Sequence, residues 1–172
     1  MTADDQGDLS FVEVAGYEAI AELARLAAEI WQEAFTYMIS DEQIAYMLER
    51  FQSAPALTRQ IEDENYRYWF VRLGAETAGY LGVQPREKTL FLSKVYLLPA
   101  RRGHGLGAAM LRFAAAQARR MGLCYLELTV NRSNPALRLY QREGFQIVRE
   151  AVADIGGGFV MDDYILVREL DS

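Results

Sequence analysis

Hydrophobic and polar positions along the chain change period several times, and each change marks an element. Leu9-Ser10-Phe11-Val12-Glu13-Val14 alternates over a short run and predicts a strand. The spacing of Ile20, Leu23, Ala24, Ala27, Ile30, Trp31, Ala34, Phe35 and Met38 then gives one continuous apolar helical face. A second helix starts at Ser40, with Gln43 three residues on completing a capping-box pattern and Ile44, Met47, Leu48 and Phe51 forming its inner face. Pro55 interrupts this region, and 56–64 reads as a further short helix. From residue 66 the period shortens: 66–73, 77–83 and 89–98 are rich in aromatic and β-branched residues and are separated by turns at Gly74-Ala75 and 84–88. Three strands so close in sequence predict an antiparallel meander.

The helical period returns from Gly105 to Met121, where Leu106, Met110, Phe113 and Ala114 share a stripe and Arg119 and Arg120 sit at the negative end of the dipole. Gly122 ends that helix, and 124–130 is the next strand. Asn134 as cap, Pro135 at the first helical position and Gly144 as terminator then frame a short helix. Two final strands, 145–152 and 161–170, are joined by a segment with three glycines, which predicts an adaptable connection. The expected order is β-α-α-β-β-β-α-β-α-β-β, with one more short helix before the second strand.

At 172 residues, 51% apolar and 24% charged, the chain fits one compact domain. Residues 1–8 read as a flexible acidic tail and 9–172 as the folded unit. A net charge of −6 argues against a general nucleic-acid binder and permits attraction of a cationic small molecule. The tail lacks a positive region and an apolar stretch, so neither membrane insertion nor secretion is expected. The single cysteine, Cys124, forms no internal disulfide, fits a reducing, cytoplasmic setting, and reads as a small core residue of its strand. No cluster of His and Cys has ligand spacing, so no metal is expected and His104 reads as a loop or capping residue.

Candidate chemistry concentrates in two segments. Arg102-Gly103-His104-Gly105-Leu106-Gly107 follows a strand and opens a helix. Glycines there permit a tight turn and close ligand approach, and the unpaired helix N–H groups favour an anion such as a phosphate-bearing cofactor. A Walker A loop requires Lys-Ser/Thr after its last glycine, whereas Ala108-Ala109 follows Gly107. Glu127 lies twenty residues past Gly107, as a dinucleotide loop requires, yet Pro99 or Arg101 stands where that loop's first glycine belongs and no earlier βα nucleotide unit precedes this strand. The second segment runs Asn131-Arg132-Ser133-Asn134-Pro135-Ala136-Leu137-Arg138-Leu139-Tyr140, continuing to Gly144-Phe145.

The first segment resembles the pyrophosphate loop of the GCN5-related N-acetyltransferases, with Arg102, Gly105 and Gly107 at the pattern positions. The second resembles that family's segment of two spaced asparagines, an Ala/Leu, a Tyr and a closing Gly-Phe, filled by Asn131, Asn134, Leu137, Tyr140, Gly144 and Phe145. The resemblance implies one mixed α/β domain with a mainly antiparallel sheet splayed at the cofactor site, between 95–97 and 126–128. It implies acetyl-CoA as cosubstrate, held by Tyr96, Leu97, Leu98, Arg102, Gly103, His104, Gly105, Leu106, Gly107 and Asn134, with Tyr140 as acid toward the departing thiol. Trp31, Glu33, Phe35, Asp162 and Asp163 are substrate candidates, and Tyr37 and Tyr46 are further aromatics for an acceptor pocket. Glu33, Asp162, Asp163 or a water remain open as the amine's proton acceptor. Four further stretches, around Trp31-Gln32-Glu33, 92–96, 128–131 and 159–164, look like the bacterial PaiA-type branch, which includes spermidine/spermine N-acetyltransferases. The expected acceptor is therefore a primary amine, with spermidine and spermine as candidates. A protein or peptide acceptor, a noncatalytic CoA-binding module and a homodimer stay open.

Overall fold

The computed structural model describes residues 8–37 and 39–171. The acidic tail up to residue 7, Met38 of the first helix's predicted face and Ser172 lie outside the described residues. Strands β1 (Leu9–Glu13), β2 (Arg67–Leu73), β3 (Glu76–Arg86), β4 (Thr89–Leu97), β5 (Tyr125–Asn131), β6 (Gln146–Gly156) and β7 (Phe159–Glu169) form one sheet in the order β1-β2-β3-β4-β5-β7-β6. Only β4 and β5 run parallel; every other neighbouring pair is antiparallel. Helices α1 (Tyr17–Ala34), α2 (Asp41–Gln52) and α3 (Ala54–Asp63) follow β1, α4 (Leu106–Arg120) links β4 to β5, and α5 (Leu137–Arg142) precedes β6.

The sheet separates two cores. On one face Trp69, Val71, Leu81 and Leu90 pack with Met110, Leu111 and Ala114 of α4. On the other, Tyr68, Phe70 and Tyr80 pack with Leu23, Ile30, Trp31 and Ile44 of α1 and α2. Buried on both faces, β2 reads as an unbroken apolar run rather than an alternating one.

Several local expectations are corrected by packing. Ser40 caps α2 by accepting from the Gln43 N–H at 3.1 Å, but the return half of the capping box is absent. The Gln43 side chain is buried and donates instead to Val160 O at 3.4 Å, tying α2 to β7. The interruption near Pro55 falls at Ser53, whose extended backbone separates α2 from α3 and whose side chain caps α3, while Pro55 itself occupies the first turn of α3, where its missing N–H costs nothing. β3 continues through Pro85, which pairs with Leu90, so the turn shrinks to Glu87-Lys88. Cys124 is exposed rather than in the core, because it precedes β5 and its backbone bonds Lys88 and Leu170 at the sheet's end. The last two strands extend to a tight Gly157-Gly158 turn. That tip is pinned: Tyr46 Oη donates to Ile155 O at 2.9 Å, and the Arg50 guanidinium donates to the same carbonyl.

Candidate active site

Two features open a cleft in the middle of the sheet. The parallel pairing of β4 with β5 covers only Thr89–Phe91 against Tyr125–Glu127, after which the strands diverge as expected. Beyond Phe91, backbone N–H and C=O groups on that edge of β4 have no partner strand, and satisfying them requires a ligand or water. A bulge is the second feature: Gly82 pairs with Lys94 but Val83 pairs with Leu92, leaving Ser93 as an extra residue. The insertion reverses the alternation of the strand. Leu90 and Leu92 face α4, whereas Tyr96 and Leu98 join the core under α1 and α2. Lys94 shares the α1 side, with Nζ 5.9 Å from the Trp31 ring.

The cleft leads into a cavity of about 370 Å³ that brings Trp31, Phe35, Lys94, Tyr96, Asn134, Tyr140 and Asp163 together. Trp31 is locked by its indole N–H, which donates to Tyr80 Oη at 2.8 Å. Tyr80 donates in turn to Gln52 at 2.8 Å, Gln52 Nε2 reaches Tyr68 Oη at 3.3 Å, and Tyr68 donates to Gln60 at 2.6 Å. This buried chain fixes the three helices over β2 and β3, and satisfied networks of this kind confer rigidity. The Tyr96 ring meets Trp31 and Phe35 edge-on, each at 5.6 Å between centroids. Of the other candidate aromatics, Tyr37 is 93% exposed and Tyr46 holds the hairpin tip.

The ionisable groups of the cavity have perturbed proton affinities. Asp163 is 8% exposed, its Oδ1 has no hydrogen-bond partner, and burial, helped by the like charge of Asp162, raises its carboxyl to about 6. Burial pushes the Tyr140 phenol up to about 12, so it stays protonated at neutral pH. Burial raises Tyr96 further, with Tyr140 and Asp163 adding to the effect, which places these three groups in one electrostatic neighbourhood. Burial pushes the Lys94 ammonium down to about 8. Its Nζ donates to Ser93 Oγ at 2.6 Å and Ser93 O at 3.1 Å, both neutral acceptors.

The remaining sequence candidates divide. Glu33 is exposed on α1 and does not line the cavity, because it falls at the solvent flank of the stripe that buries Ile30 and Trp31. Asp162 points away from Asp163, as adjacent strand residues must, and pairs with Arg132 at 2.7 Å. Asn134 lines the cavity while its Oδ1 accepts from the Ala136 N–H at 2.9 Å, and the chain turns there before α5 begins at Leu137. Lys94 and the Tyr80–Gln52–Tyr68–Gln60 chain went unrecognised in the sequence. A lysine inside an apolar strand was the one available signal.

The conformation of the glycine loop suits an anionic group. Gly103 and Gly105 hold φ of 80° and 83°, a left-handed geometry that glycine adopts without strain. This curl puts Gly105 at the head of α4, where Ala109 N–H bonds Gly105 O and the N–H groups of Leu106, Gly107 and Ala108 are left over for a ligand. The loop therefore fits a pyrophosphate. Gly107 has a packing role, since a Cβ there would come 2.6 Å from Leu139 Cδ2. The Arg102 guanidinium holds the end of β4, donating to Leu97 O at 3.2 and 3.1 Å. Among the described residues no group of three or more His, Cys, Asp or Glu is placed to hold a metal ion, and no helix is long and apolar enough to cross a membrane.

Comparison with known proteins agrees with this geometry. Residues 24–145 match the model of the Acetyltransferase (GNAT) family. An uncharacterized N-acetyltransferase of Mycobacterium tuberculosis is 30% identical over 151 residues, covering 87% of this chain and 96% of that protein. The fold is shared with the PaiA N-acetyltransferase of Thermoplasma acidophilum, solved in complex with coenzyme A, at a TM-score of 0.76 and 19% identity over 94% of this chain and 98% of the other. A GCN5-related N-acetyltransferase from Rhodopseudomonas palustris gives the same TM-score at 14% identity, with 94% of each chain covered. With the family model spanning most of the chain and the splayed sheet, glycine loop and cavity in place, this protein belongs to the GNAT acetyltransferase family.

Proposed function

We propose that this chain transfers the acetyl group of acetyl-CoA to a small primary amine received in the cavity beneath α1 and α2. The observation that carries the reading is the meeting of the Asp163 carboxylate, the Tyr140 hydroxyl and the unpaired edge of β4 in one cavity. Acetyl-CoA, when bound, supplies the activated acetyl thioester. The N–H groups at the head of α4 would hold its pyrophosphate, and the open edge of β4 its extended chain. Asp163, ionised above about pH 6, accepts the proton that the incoming ammonium must lose. Tyr140 keeps its proton and donates a hydrogen bond where negative charge collects on the departing sulfur.

The net charge of −6 supports a cationic acceptor such as spermidine or spermine, while the exposed positions of Glu33 and Asp162 and the presence of Lys94 in the cavity weigh against a polycation. A homodimer is supported by the edge strand β6, where Val148 and Val152 are 54% and 69% exposed. A cytoplasmic setting accords with one exposed, unpaired cysteine. Mass spectrometry of products after incubation with acetyl-CoA and separate panels of polyamines, amino metabolites and peptides tests the activity. Acetylated small amines are expected. Peptides as the only products would move the acceptor to a macromolecule, and tight acetyl-CoA binding with no product from any panel would make the chain a binding module.

A further inference from the structure

We infer that the acceptor carries an anionic group as well as its amine, a small amino-carboxylate with an apolar body, with Lys94 receiving the carboxylate and Asp163 the amine. The inference rests on the N-acetyltransferase reading above and narrows its substrate class. Two opposite charges stand in one cavity, and neither is neutralised by the protein. Lys94 meets only the neutral Ser93 oxygens and the Trp31 face, and no carboxylate among the described residues pairs with it. Asp163 keeps a buried oxygen without a partner. Lys94 and Asp163 do not pair with each other either, so the protein leaves both charges to be satisfied from outside.

Uncompensated buried charges are costly, and a pocket that holds two of opposite sign stabilises a ligand that brings the complementary pair. A zwitterion does so in one molecule. A polyamine would place its second cation in the low-dielectric space shared with Lys94, where like charges repel far more strongly than in water. A plain alkylamine would satisfy Asp163 and leave Lys94 desolvated and unpaired. The β-bulge at Ser93 strengthens the argument: without the extra residue, position 94 would follow Leu92 toward α4 rather than face α1. Phe35, Met47, Phe51 and Met161 give part of the wall an apolar surface that accommodates a hydrophobic side chain.

The test compares amines matched except for the carboxylate: leucine with isopentylamine, phenylalanine with phenethylamine, and spermidine alongside. Initial rates of acetylation give kcat/KM for wild type and Lys94→Met, and calorimetry with acetyl-CoA checks that each protein is folded. Wild type is expected to favour the amino-carboxylate in at least one pair by about tenfold or more, as buried polar groups reject an analogue that leaves them unpaired. In K94M that ratio should fall toward one. A wild-type preference for the decarboxylated member or for spermidine overturns the inference and leaves the acetyltransferase reading standing. An equal loss for both members in K94M also overturns it, because Lys94 would then act on something the two reactions share. If wild type binds acetyl-CoA but acetylates no amine, the functional reading fails and takes this inference with it. The wild-type comparison decides the matter even if K94M does not fold.

Discussion

Replacing Asp163 by Asn should make the protein more stable and less active at neutral pH. In the folded chain burial raises this carboxyl from 3.8 to about 6. A raised carboxyl means that the folded state binds the proton more tightly than the unfolded chain does, so ionising it works against folding. The gap corresponds to about 3 kcal/mol at about 1.4 kcal/mol per decade. Water in the cavity and the cost of burying an incompletely bonded amide reduce the net gain from Asn to about 1–2 kcal/mol. For a chain of this size that is a rise of about 3–6 °C in Tm. The sign with pH follows: near the unfolded carboxyl's range D163N should be the slightly less stable protein because only the amide cost remains, it should gain on wild type and overtake it as pH rises from about 4 to about 6, and its advantage should stay constant above that. Thermal and denaturant unfolding of both proteins across this range measures the effect. Acetylation of the identified amine should fall by about 100-fold or more in D163N, and the acidic limb of the wild-type kcat/KM profile near pH 6 should vanish. A variant less stable than wild type at pH 7, or a stability difference that ignores pH, would refute the burial argument. An unchanged rate profile would remove Asp163 as the proton acceptor.

Tyr140→Phe should lower kcat by about 100-fold with little change in acetyl-CoA affinity, read from steady-state rates beside calorimetry; an unchanged rate under chemistry-limited conditions removes the acid role. Gly105→Val should weaken acetyl-CoA binding far more than Arg119→Ala and cost about 1–2 kcal/mol in unfolding measurements, because Gly105 needs its positive φ to start α4; equal affinities for the two variants would sink the loop assignment. Gly79→Ala should destabilise by about 1–3 kcal/mol and weaken acetyl-CoA binding, since a Cβ there would come 2.1 Å from the Tyr96 carbonyl oxygen and push β4 outward. Wild-type melting and affinity in that variant would show that β4 shifts freely.

The sequence by itself determined the order of elements, the glycine loop and the Tyr140 helix, because each is encoded within a few neighbouring residues. Helical spacing from Ile20, the left-handed glycines before α4 and Gly144 after α5 act through local backbone sterics and capping, which need no distant partner. Boundaries moved where a partner strand or helix decided them. β3 ran on through Pro85 because β4 paired with it, and Gln43 left its capping box for a carbonyl of β7, 117 residues away. The site's electrostatics belonged to the tertiary structure alone. Glu33, Asp162 and Asp163 are equivalent carboxylates in the sequence; helix phase sends the first to solvent, and strand alternation gives the second to Arg132 and the third to the cavity. Lys94 owes its place to one unpaired residue, Ser93, whose bulge arises from how two strands meet. The charge inside the cavity is thus set by long-range register, which a local pattern of apolar and polar residues does not encode.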